Sequence, residues 1–409
     1  MMSNESAPEK KRLWVVTELY YPEETSTGYY LTRIAEGLAQ DFDVKALCGQ
    51  PTYSARGIVA PKHEIHRGVE IFRASGTTLD KNVIVFRLLN MLTLGLSVFF
   101  KALRNFRQGD RVLVVTTPPS MPFVVALAAL VKGSSYILLI HDNYPEILIA
   151  VGKSTPGSLL ARTISFFNRW LYKYASKIIV VGRDMHELLT RKTAGLDIPI
   201  VTIPNWAELE SVEPSPRSEN KLLQELSLSE KFVFLYAGNL GHPNDLESII
   251  ECADGLREIE DLHFIFLGTG VKRKWLETRV RELSLTNVSI LDPRPRRDQS
   301  IFLNACDVGL VSLVKNMVGV SMPSRTYNIL AAGRPILALT EDGSELATVV
   351  HEDLVGWAVQ PGDPASLKKT IVEILDSREK LPAMAEAARA SALSKYSLEA
   401  ALDKYRRAI

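Results

Sequence analysis

Two textures alternate along the chain. Short continuous apolar runs, rich in Val, Ile, Leu and Phe, are separated by longer stretches in which apolar residues recur every three or four positions. In the first half the short runs fall at 13–17, 43–47, 111–116, 136–140, 177–181 and 199–203, and the helical patterns at 28–40, 122–131, 157–174 and 184–192. The second half repeats the scheme, with runs at 232–236, 263–267, 288–291, 308–313 and 336–339, and helical patterns at 245–257, 272–283, 299–305 and 324–332. Unbroken apolar strands between amphipathic helices predict parallel sheets covered on both faces. Between the two halves, 206–230 is polar and contains Pro214, Ser215 and Pro216, as a linker does. The expected architecture is α/β: two Rossmann-like, doubly wound domains, 1–205 and 231–390, joined by 206–230 and followed by a terminal segment, 391–409. Their strand ends face a central cleft, where open α/β sheets bind ligands.

Composition narrows the class. Hydrophobic residues make up 46% and charged residues 23% of 409 positions, a globular balance in a chain too long for one ordinary core. Cys48, Cys252 and Cys306 lie far apart without metal-ligand spacing, which argues for a reducing compartment and against a zinc site or disulfide framework. The polar start reads as a short disordered lead, not a signal peptide. The longest uncharged apolar run, 88–100, is shorter than the roughly 20 residues a membrane-spanning helix needs.

Charge is divided unevenly. Residues 1–205 hold 24 Lys and Arg against 17 Asp and Glu, whereas 206–409 hold 24 against 30. A basic half suits an anionic surface or acceptor; solubility alone is the plainer explanation. In 83–107, Phe86, Phe99, Phe100 and Phe106 mix with Arg87, Lys101, Arg104 and Arg107, and Phe166, Phe167, Trp170 and Tyr172 with Arg169 and Lys173 repeat the theme. That mixture reads either as an interfacial membrane contact or, for its apolar part, as core.

Candidate chemistry concentrates at strand ends. The segment from Met322 through Pro323, Ser324 and Arg325 to Gly333 and Pro335 encodes a short helix with Pro in its first turn and Gly at its end. Its free N–H groups, with Ser324 and Arg325, offer a diphosphate site; a capped surface helix with a solvated arginine is the alternative. Gly238 and Asn239 close a strand, and Gly28 opens the first helix beside the presumed cleft. The spacing is not the dinucleotide fingerprint, so no nicotinamide cofactor is expected. His141, Asp142 and Glu146 follow the strand at 136–140: His141 can donate to a sugar hydroxyl and Asp142 or Glu146 can orient an acceptor hydroxyl, unless Asp142 simply caps a helix. Asp41 and Asp43 match an Asp-x-Asp pattern but sit at a helix-to-strand turn, so no metal is expected there.

These residues together resemble the retaining, family-four glycosyltransferases of the GT-B fold, in the branch that builds bacterial O-antigen and colanic acid. The likeness runs through Tyr21, Pro22 and Gly28, the His141–Asp142 cluster ending in Pro145 and Glu146, and Ile203, Pro204 and Asn205. It continues through Tyr236 to Gly241, Ala305 to Asp307, Pro323 to Arg325, Asn328, Gly333, and Gly343 to Glu345. It implies an acceptor in the first domain, a nucleotide-sugar donor in the second and retention of anomeric configuration. It also implies no cofactor, no metal and no nucleic-acid partner, and a last helix crossing back to the first domain. Catalytic roles fall to His141 and Asp142, and donor contacts to Gly28, Gly238, Asn239, Ser324, Arg325, Asn328 and Glu345. A UDP-sugar donor, a saccharide or lipid-linked acceptor and a place at the inner face of the cell membrane complete the expectation.

The chain departs from that pattern in two places. Many relatives carry paired glutamates at positions that here look like Val320 and Asn328, and Arg and Lys in the turn of Asn239 and Asn244. Arg325 is then expected to neutralise phosphate, and Asn328 to bond a ribose hydroxyl. The same departures leave open a scaffold subunit that partners an active transferase. A nucleotide-sugar epimerase is a further alternative, against which the basic, aromatic first half argues.

Overall fold

The computed structural model describes residues 10–52, 59–79 and 83–409. The N-terminal lead, 1–9, lies outside the described residues. Fourteen strands occur among those described: β1 (Arg12–Val16), β2 (Asp43–Cys48), β3 (His63–His66), β4 (Val69–Arg73), β5 (Arg111–Val115), β6 (Ser135–Ile140), β7 (Lys177–Val180) and β8 (Ile200–Thr202), then β9 (Phe232–Ala237), β10 (Leu262–Leu267), β11 (Val288–Leu291), β12 (Val308–Ser312), β13 (Ile336–Leu339) and β14 (Gly356–Val359). They form an eight-stranded sheet, order β3-β4-β2-β1-β5-β6-β7-β8, and a six-stranded sheet, order β11-β10-β9-β12-β13-β14. Every pairing is parallel except β3 with β4. This is the two-sheet α/β architecture that the apolar pattern predicts.

Burial on both faces explains the unbroken apolar strands. Along β9, Phe232, Phe234 and Tyr236 enter one hydrophobic cluster while Val233 and Leu235 enter another on the opposite face. Such a strand cannot alternate apolar with polar, because neither side meets water. Three strands were not anticipated: β3, β4 and β14. β3 (HEIH) and β14 (GWAV) are edge strands, and β3 alternates between exposed and half-buried residues. One unpaired edge and one wet face dilute the apolar signal to a few positions.

The helix Ser26–Leu38 follows β1. Thr25 caps it, accepting from the Gly28 N–H at 3.4 Å, and Tyr30, Leu31, Ile34, Ala35 and Leu38 form its buried stripe. The final helix, Leu398–Ala408, packs against it, and Arg406 reaches Asp41 at 2.8 Å. Asp43 lies near Lys45 at 3.5 Å, so both carboxylates of the Asp-x-Asp pattern serve ion pairs. Residues 206–230 are no loose tether: Trp206, Ala207, Val212, Leu222 and Leu223 are buried, and Lys221–Glu225 is a helical turn capped by Asn220.

One surface is unusual. The run at 88–100 belongs to a 22-residue helix, Ile84–Asn105. Among the described residues its segment Val85–Asn105 is the one helix long and apolar enough to cross a bilayer, a correction to the shorter run seen in the sequence. Leu94, Val98 and Ala102 pack inward, and the helix lies along Met121–Lys132, which in turn contacts Leu159–Tyr174. Outward, Leu88, Leu92, Leu96 and Phe100 are exposed, as are Leu130, Val131, Phe166 and Phe167 on the neighbouring helices. Exposed Arg87, Arg104, Arg162, Arg169 and Lys173 accompany them.

Candidate active site

The strand orders place two switch points opposite one another. In the first sheet the chain turns outward on either side of β1, and in the second on either side of β9. Loops leaving the carboxyl ends of β1, β6, β7, β8, β9 and β12 all contribute to a cavity of about 220 Å³. Ser26 and Thr27 come from the first helix, His141 and Asp142 from the end of β6, Asn244 from the loop after β9, and Ser321 to Arg325 from the segment after β12. The Ser26 and Ser324 hydroxyls meet across the gap at 2.8 Å. The segment starting at Pro323 therefore points into the cleft, and the solvated-arginine alternative is excluded.

On the second domain's wall Arg325 is the dominant charge. Its guanidinium lies 4.3 Å from the centre of the Tyr236 ring, a cation–π placement that holds the group without neutralising it. Nη1 is buried with no hydrogen-bond partner, and Arg325 has no ion pair among the described residues. Gly238 makes that position possible. It has φ +143°, and a Cβ there would come within 3.0 Å of the guanidinium carbon. Its role is thus to admit Arg325. The helix Arg325–Ala331 has only seven residues, and the Thr326 and Tyr327 N–H groups already bond Pro323 and Ser324 carbonyls. The full charge of the guanidinium therefore outweighs any helix dipole at this point.

The first domain's wall carries two titratable groups without charged partners. Burial alone pushes the His141 pKa down to about 4, and its Nε2 has no hydrogen-bond partner. Its backbone N–H donates to Thr116 Oγ1 at 3.2 Å. Burial pushes the Asp142 carboxyl up to about 6. At neutral pH the imidazole is uncharged and the carboxylate is largely ionised, a state able to accept a proton from a nearby hydroxyl. Asp142 caps no helix; its backbone forms an antiparallel bridge with Ser321 of the other domain.

Other expected residues lie elsewhere. Glu146 is held by Lys192 at 2.7 Å, so it is not available to an acceptor hydroxyl. Asn328 is buried: its amide donates to Glu208 at 2.8 Å and Gln299 at 2.9 Å and its oxygen accepts from the Glu208 N–H at 2.9 Å, so both amide hydrogens are already taken. Glu345 receives the Arg183 N–H at 2.7 Å and Nε at 2.9 Å. It caps the uncapped start of the helix Arg183–Lys192, across the domain boundary, and is no free donor contact. Gly28 directly follows Ser26 and Thr27 in the same helix but lies outside the cavity lining. Asn239 is exposed, and its carbonyl accepts from the Tyr236 hydroxyl at 2.7 Å and from Asn244 at 3.0 Å. Sequence reasoning missed Ser26, Thr27 and Ser321. Small hydroxyl residues in polar loops carry no periodic signal, and only the meeting of two domains singles them out. Among the described residues no cluster of three His, Cys, Asp or Glu side chains is placed to hold a metal.

Paired α/β domains with a cleft between their strand ends are the architecture of the two-domain GT-B glycosyltransferases. The chain belongs to that family: residues 26–206 match the glycosyl transferase 4-like domain and residues 218–391 match glycosyl transferases group 1. It is 28% identical over 366 residues to WbjE of Pseudomonas aeruginosa, described as a glycosyltransferase, covering 89% of this chain and 90% of that one. It is 26% identical over 352 residues to WcaI of Escherichia coli (strain K12), described as a colanic acid biosynthesis glycosyl transferase, covering 83% and 86%. The fold is shared with sucrose-phosphate synthase from Thermosynechococcus elongatus (TM-score 0.80, 14% identity, 98% of both chains). It is shared also with Anabaena HepE in complex with UDP and glucose (TM-score 0.75, 16% identity, 97% of this chain and 99% of that one).

Proposed function

We propose that this glycosyltransferase retains anomeric configuration without a metal, moving a sugar from a nucleotide donor, UDP-linked in the first instance, onto a saccharide or lipid-linked acceptor of a cell-surface polysaccharide. One observation carries the reading: Arg325, whose Nη1 is buried without a hydrogen-bond partner, lines the same small cavity as His141 and Asp142. A leaving diphosphate needs positive charge where its own charge develops, and a fixed arginine supplies it without reorganisation. Asp142 and the neutral His141 face that point from the other wall, where an acceptor hydroxyl loses a proton. The cavity is smaller than the roughly 300–1,000 Å³ of a pocket that takes a whole ligand, so it suits the reacting end of a donor rather than its nucleoside. WcaI and HepE, by their descriptions, point to colanic acid synthesis and to UDP and glucose respectively.

The apolar, basic face of Ile84–Asn105, Met121–Lys132 and Leu159–Tyr174 is read as a peripheral contact with the inner leaflet. It would hold the first domain where a lipid-linked acceptor lies. Full burial of one Leu or Phe side chain is worth about 1.5–3 kcal/mol, so a few inserted residues with basic neighbours give reversible attachment. Radiolabelled UDP-sugars incubated with the pure protein and membrane lipid extract test the reading. Label should enter a lipid or saccharide product, transfer should survive EDTA, and the new linkage should keep the donor's configuration by NMR. An inverted linkage removes the retaining assignment. Donor conversion with no acceptor present favours the epimerase alternative.

A further inference from the structure

Asn143 and Asp184 belong to the first domain, yet each makes a side-chain hydrogen bond to the second. Both are buried, at 1% and 6% exposure. The Asn143 amide donates to the Gly319 carbonyl at 2.7 Å, and its backbone N–H donates to the Val320 carbonyl at 2.8 Å. Asp184 accepts the Gly319 N–H at 2.8 Å on one carboxylate oxygen and the Met185 N–H at 2.7 Å on the other. Both peptide groups of Gly319 are therefore held by side chains across the cleft. Gly319 has φ +73°, and a Cβ there would stand 2.9 Å from the Asp184 carbonyl oxygen and 3.0 Å from Leu188 Cβ, so the contact tolerates no side chain. Two residues further on, Ser321 bridges Asp142 and lines the cavity.

We infer that Asn143 and Asp184 are positioning residues of the transfer reaction: they clamp Gly319–Ser321 against Asp142, and the reaction cavity is assembled only while the clamp is made. The polar part of the contact is a few hydrogen bonds to backbone, set among buried apolar residues of both domains such as Met185, Met317 and Val320, and each bond is weak enough to form and break. A donor with its nucleoside exceeds the closed cavity, so the cleft opens to admit it and the clamp reports closure. Val320 stands where many relatives carry a glutamate. Here its side chain is buried and its carbonyl serves the clamp, so the loop contributes geometry and no charge.

This inference rests on the cavity being the reaction centre, and its test separates the two. Asp184→Ala cuts the clamp from the first domain and Gly319→Ala from the second. Each should lower kcat by about 10–100-fold, the cost of misplacing reacting groups by roughly an ångström. UDP affinity by calorimetry should stay within about twofold, since both substitutions leave Arg325, the proposed diphosphate contact, in place. Small-angle scattering of the UDP-bound variants should give a larger radius of gyration than the wild type. The double variant should be no slower than the worse single one, because both break one contact. Asp184→Asn, which keeps one acceptor oxygen but turns its NH2 toward the second N–H donor, should recover part of the rate. Wild-type kcat and scattering in Asp184→Ala overturn the inference, as do losses that multiply in the double variant. If Asp184→Ala does not fold, Gly319→Ala with its scattering profile decides alone. A wild-type protein that transfers nothing from any UDP-sugar refutes the proposed function, while the scattering arm still reads the clamp.

Discussion

The two walls of the cleft do opposite electrostatic work. On the second domain's wall, Arg325 is a permanent charge lodged against Tyr236 and Gly238 and left unpaired. On the first domain's wall burial disfavours both charged forms: it moves the His141 pKa down to about 4, which keeps the imidazole neutral, and the Asp142 pKa up to about 6, which leaves that carboxyl able to exchange a proton. The difference teaches a division of labour. A fixed cation serves an anion that must be stabilised at every turnover, whereas a group that exchanges a proton must lie within reach of its own pKa. Neighbouring charges elsewhere in the molecule are treated differently: Glu146 with Lys192 and Glu345 with Arg183 are neutralised in place and hold structure.

The largest effect is expected on the fixed wall. Arg325→Ala should reduce kcat/KM by about 100–1,000-fold with the melting transition intact. Unchanged UDP affinity and turnover would show that the charge lies idle. Next, Asp142→Asn should cost about 100-fold at pH 8. The wild-type rate should rise as pH passes upward through about 6, where the carboxyl ionises, and the variant should lose that limb. Stability should move the other way. A raised carboxyl pKa favours the folded state most below the ordinary value of 3.8, and that advantage is lost as pH climbs through about 6. Asp142→Asn should therefore gain on the wild type over this window in denaturant titrations, which separates lost chemistry from lost folding.

A milder break leaves the arginine but displaces it. Gly238→Ala puts a methyl group against the guanidinium and should raise the donor KM about tenfold, equivalent to roughly 1.4 kcal/mol. The smallest effect on transfer in detergent belongs to the outer face. Phe166→Glu, 72% exposed in the wild type, should leave stability within about 0.5 kcal/mol. It should weaken sedimentation with anionic vesicles several-fold, and unchanged vesicle binding would remove the membrane role.

Much of the fold was legible because parallel strands buried on both faces announce themselves as apolar runs. The exceptions, β3, β4 and β14, sit at or beside sheet edges, where half the signal is lost. At the site, residues fixed by local rules were readable: a short helix opening just after Pro323, Gly238 following a strand, His141 and Asp142 at a strand's carboxyl end. Asn328 and Glu345 misled, because a motif position says what a side chain can do and not which neighbour reaches it first. Glu208, on the interdomain stretch, and Arg183, on the other domain, claim them.

By itself, then, the order of residues determined two layered α/β domains, their switch points and an arginine at one of them, since periodicity and turn chemistry act over a few positions. Only the tertiary structure decided which polar groups stay free. Whether a carboxylate or an amide has a partner depends on residues such as Asp184 and Gly319, 135 positions apart in sequence and 2.8 Å apart in space. Contacts between separately folded domains leave no period in the chain that encodes them.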